Sequence, residues 1–67
     1  MTGYVRQMDL NTRECRVRAE PSRDGRLVFE GRYHKKVLEV LREAFREEAC
    51  LHIEVVGNVL MGASIQR

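Results

Sequence analysis

The residue types in this chain that could act on a ligand are few: Cys15 and Cys50, His34 and His52, Ser22 and Ser64, scattered carboxylates and ten arginines. The cysteines and histidines would hold a metal only if four distant segments converged, because no CxxC spacing and no close His pair joins them. Neither serine carries a nucleophile motif, and both cysteines fall in strand-like segments where they read as buried, so nucleophilic catalysis has little support. The carboxylates lie along polar faces and are not paired for general acid–base work. The five glycines stand apart, which removes a glycine-rich phosphate loop. These residues point away from an enzyme and imply no metal and no cofactor.

Arginine is the exception. Ten of the twelve basic residues are Arg, whose planar fork matches phosphate or carboxylate in a bidentate way. Residues 1–32 hold seven Arg against five acids, whereas residues 33–67 hold five bases against five acids. The formal net charge of +2 is too small to define a partner, so the positions of the arginines matter more than their sum.

The elements that must position them are read from periodicity. Tyr33 to Ala49 is the one stretch with a helical period: Val37, Leu38, Leu41, Ala44 and Phe45 share an apolar face. A helix is expected near residues 34–49. It has no Ser, Thr, Asp or Asn at its start, and His34, Lys35 and Lys36 occupy the first turn. Free N–H groups beside three basic side chains make these residues a candidate anion site.

Strands are expected near 3–10, 14–20, 26–33, 50–56 and 59–65. In the first, Val5 and Met8 point inward with a spacing of three, which implies a bulge. In the second, Cys15, Val17 and Ala19 alternate with Glu14, Arg16, Arg18 and Glu20. The PSRDG turn at 21–25 leads into the third, where Leu27, Phe29, Gly31 and Tyr33 share the inner face. Leu51, Ile53 and Val55 line one face of the fourth. Gly57-Asn58 reads as a two-residue hairpin turn, and Val59, Met61, Ala63 and Ile65 form the inner face of the fifth strand, with a bulge at Gly62.

Sixty-seven residues make one small domain, here of α+β class and mostly β. The order β-β-β-α-β-β resembles the OB-fold, a partly open five-stranded barrel with its helix between strands three and four. The resemblance is one of element order over nearly the whole chain and has no residue signature. The alternative is an open antiparallel sheet with the helix packed on one face. The resemblance implies non-catalytic binding of single-stranded RNA or DNA on the face of strands two and three. Phosphate contacts would come from Arg16, Arg18, Arg26 and Arg32, and Tyr4 and Arg6 would extend the face from strand one. Glu14, Glu20 and Glu30 interrupt that patch, and the same alternation fits cross-strand ion pairs.

A different reading starts from VVGNVLMGA at 55–63, nearly unbroken apolar sequence around a turn. With Val59 and Met61 inward, Val56 and Leu60 project outward, and a second copy of the chain could cover them. That makes a homo-oligomeric structural or regulatory assembly module, pairing as a homodimer through the last hairpin, the alternative function. No long apolar run and no signal-peptide core are present, so a cytoplasmic chain with reduced thiols is expected.

Overall fold

The structure is a computed structural model that describes residues 1–67. Five strands, β1 (Thr2–Asp9), β2 (Glu14–Arg18), β3 (Leu27–Tyr33), β4 (Leu51–Val56) and β5 (Val59–Ile65), form one closed barrel in the order β1-β2-β3-β5-β4. A single turn of 3₁₀ helix (Lys35–Val37) runs into the only α-helix, α1 (Leu38–Glu47), between β3 and β4. Mostly β with one helix is the class expected from the sequence, and the closed five-stranded barrel is consistent with the OB-like reading rather than with the alternative open sheet.

Closure needs curvature, and bulges supply it. Between Val5 and Gln7 the register of β1 on β2 slips, so Val5 faces Val17 and Met8 faces Cys15 across the pair. This is the spacing of three anticipated from Val5 and Met8. A second slip falls between Val17 and Arg18 against β3. β3 and β5 pair in parallel at Arg32 with Val59 and Tyr33 with Leu60, and β1 joins β4 at Thr2 and Gly3 to shut the ring. Val56 pairs with Val59 across the two-residue Gly57-Asn58 turn, in which Gly57 has φ of 63°.

The interior is apolar throughout. Val5, Cys15, Val17, Phe29, Tyr33, Leu51, Ile53 and Leu60 fill it from the strands, while Val37, Leu41 and Ala44 cap it from the helical segment. No buried side-chain nitrogen or oxygen lacks a partner. The Tyr33 hydroxyl donates to the carbonyl of Asp9 at 3.3 Å.

Three expectations about facing residues are corrected here. On β5 the inward residues are Leu60, Ala63 and Ile65, not Val59 and Met61, because a register slip between Glu54 and Val55 reverses the alternation halfway along the strand. Leu60, expected on an outer interface, is fully buried. Leu27 is exposed, since the slip at Arg18 turns the start of β3 outward.

The ends of the helix are also informative. His34 caps the 3₁₀ turn that leads into α1, its Nδ1 accepting the backbone N–H of Lys36 at 3.1 Å, while Val37 at the N-cap of α1 itself makes no side-chain bond. At the far end Glu48 adopts the left-handed conformation, φ 52° and ψ 41°, and Ala49 N–H donates to the Ala44 carbonyl at 2.9 Å. This is the helix-terminating geometry usually given to glycine. No helix is long and apolar enough to cross a membrane.

Candidate nucleic-acid interface

Alternation on β1 and β2 sends Tyr4, Arg16 and Arg18 to the outside of the barrel, opposite the buried Val5, Cys15 and Val17. Arg18 stands across from Tyr4, and Arg16 stands between Gln7 on one side and Glu30 on the other. The bulge after Val5 carries Arg6 toward the end of α1, where its Nη1 meets Glu48 Oε1 at 3.2 Å. The β2–β3 loop folds back through Arg26 N–H to Glu20 Oε2 at 3.0 Å and Arg18 Nη1 to the Gly25 carbonyl at 2.9 Å. That fold brings Arg23 over the same surface.

The outcome is a groove of about 450 Å³ lined by Arg6, Gln7, Arg16, Arg18, Arg23 and Phe45. Four guanidiniums line it and no carboxylate does. Glu48 and Glu30 pair with Arg6 and Arg16 from outside the lining. Exposed pairs of this kind are worth about 0–1 kcal/mol, so an incoming phosphate can compete for both arginines. Arg23 has no ion pair at all.

The structure therefore brings together Arg6, Arg16 and Arg18 of the residues singled out from sequence. Tyr4 neighbours them but does not line the groove. Arg32 lies at the far end of the sheet opposite Glu14. Next to the groove is a recess lined by Asp9, Glu14 and Glu30 together with Arg16, which lines both, so three carboxylates interrupt the basic surface on the β3 side. Arg26 lines neither cavity. At the helix start, the Lys36 N–H that would receive an anion is already taken by His34.

Val56 remains exposed on the last hairpin, at 67%, but without Leu60 beside it the expected apolar pair does not exist. Cys15 lies beneath the acidic recess, and burial pushes its thiol from the ordinary 9.0 up to about 11. A thiol shifted in that direction keeps its proton at neutral pH. Cys15 and Cys50 are both free.

Gln7, Arg23 and Phe45 were not expected here. Phe45 belongs to the apolar stripe by spacing, but α1 is held to the barrel through Val37, Leu41 and Ala44, and Phe45 sits at the margin of that stripe, 41% exposed. The available signal was the surplus of apolar positions on a ten-residue helix over a very small barrel. Arg23 lies in a turn whose path periodicity cannot give. Comparison with known proteins identifies no relative: no family model matches the chain, and neither a curated protein nor a solved structure does.

Proposed function

We propose that this protein is a non-catalytic module that binds single-stranded nucleic acid in the groove between β1, β2, the β2–β3 loop and α1. The observation that carries the reading is the lining itself, in which Arg6, Arg16, Arg18 and Arg23 share a groove with an exposed Phe45 and no carboxylate. A basic groove that tracks a phosphate backbone beside an aromatic platform is what sequence-tolerant single-strand binding needs. We read the barrel as OB-like from its closure, its helix between β3 and β4 and the parallel β3–β5 pairing. In such domains the β2–β3 surface is the customary ligand face. Free thiols at Cys15 and Cys50 fit a reducing, cytoplasmic setting.

The test is fluorescence anisotropy of labelled RNA and DNA single strands at several salt concentrations. Four phosphate contacts give a slope of log K on log salt of about −2.8, and Arg16→Gln with Arg23→Gln lowers its magnitude by about 1.4. A wild-type protein that binds no strand at low salt removes this function. Binding with an unchanged slope in the double variant moves the site elsewhere on the surface.

A further inference from the structure

The groove on the sheet side does not end at Phe45. The ring is also a wall of a second groove, of about 320 Å³, lined by Met8, Leu10, Arg42, Phe45 and Arg46. Its character differs from the first. Three of the five lining residues are apolar, two are arginines and none is acidic. Leu10 is 58% exposed and Phe45 41% exposed, so apolar surface is open to solvent where a chain this small would otherwise bury it. Arg46 has no ion pair, and Arg42 touches only Glu39, at 3.8 Å within its own helix.

Charge places the two grooves together. Six of the twelve basic residues line them without a single acid, which leaves six bases against ten acids elsewhere, a net charge of −4 on the remainder of the chain. Glu48, Glu30 and Glu39 pair with three of the six from outside, which leaves Arg18 and Arg23 on one side of the aromatic ring and Arg46 on the other as the positive charges without an ion pair. The ligand this favours is polyanionic with a flat apolar part at each charge. An unpaired nucleotide has that form, because its base can stack on a phenylalanine or a guanidinium plane while its phosphate is held by arginine.

We infer that the groove of Met8, Leu10, Phe45, Arg42 and Arg46 is a nucleobase subsite, in which a single strand held on the sheet side turns one base over the edge of Phe45 onto the helix side. This rests on the proposed single-strand binding and assigns the stacking role to Phe45 in place of Tyr4. Phosphates on either side of the turned base would lie against Arg23 and Arg46, the two lining arginines without an ion pair or a hydrogen bond within the chain.

The experiment compares a labelled oligothymidylate with an abasic oligomer of the same length and charge, on wild-type protein and on Phe45→Leu. Stacking of one base predicts that the wild type prefers oligothymidylate by roughly 5- to 150-fold. Phe45→Leu should lose that preference while keeping the salt slope, since no arginine is removed. Phe45→Tyr, which keeps the ring, should retain the preference, and an unchanged far-UV circular dichroism spectrum shows that the variants fold. Equal affinity of wild type for both oligomers overturns the subsite but leaves the phosphate groove standing. Absence of binding to either oligomer overturns both proposals. Displacement of the oligonucleotide by polyglutamate of equal charge as effectively as by itself assigns the surface to acidic protein segments and overturns the nucleobase assignment.

Discussion

Cys15 sets an alkaline limit on this fold. This β2 residue is 3% exposed and belongs to the core, and burial holds its pKa at about 11 against 9.0. The folded state keeps the thiol protonated where the unfolded chain has begun to lose the proton. The stability that goes with the neutral thiol is therefore fully present below pH 9 and is lost as pH rises through 11. Two pH units correspond to at most roughly 3 kcal/mol. That is a large share of the 5–15 kcal/mol typical of a domain, and about 10–25 °C of melting temperature at this size. Tyr33 shifts in the same direction through burial and then through the neighbouring Cys15, so wild-type data alone would mix the two groups. Urea unfolding of wild type and Cys15→Ala at intervals from pH 7 to 11 separates them. The difference in unfolding free energy between the two proteins should be flat below pH 9 and should then move by up to roughly 3 kcal/mol in favour of the variant as pH approaches 11. Parallel curves across that window would show that Cys15 titrates normally and is not enclosed as described. At neutral pH the same enclosure makes Cys15 slower than the half-buried Cys50 toward iodoacetamide, read by mass spectrometry.

Arg13 and Glu48 hold left-handed conformations at φ 59° and 52°. Arg13→Gly should raise stability by about 0.5–1 kcal/mol by relieving that strain, and a fall in melting temperature would refute it. Glu48→Gly should gain less, because it also removes the exposed pair with Arg6. Leu60→Ala should cost about 2–5 kcal/mol in chemical denaturation, whereas Val56→Ala on the same hairpin should change stability by less than about 0.5 kcal/mol. Similar costs at the two positions would contradict the register slip in β5. His34→Ala should cost about 0.5–2 kcal/mol through the lost cap, and His34→Asn should recover most of it. No difference between them would mean the Nδ1 bond to Lys36 contributes nothing.

The sequence by itself determined the order of the elements, the inward set Val5, Met8, Cys15, Val17, Phe29 and Tyr33, and the Gly57-Asn58 turn. Each of these depends on local period or turn chemistry, which are properties of neighbouring residues. It also determined that Arg16 and Arg18 share an outer face. Tertiary structure decided the remainder. A single bulge in β5 moved Leu60 from a supposed interface into the core: the extra residue, Met61, puts Leu60 on the same face as Ala63 three positions on, and Gly62 signalled a bulge without showing which residues it would turn. Closure of the barrel put β1, the β2–β3 loop and α1 beside one another, so that Arg6, Arg23 and Phe45 met although they are far apart in the chain. Arg32 stays out of that groove, opposite Glu14, although it accompanies those arginines in sequence. Facing is local and can be read along a strand, but convergence depends on strand order and curvature, which arise only when the whole sheet closes.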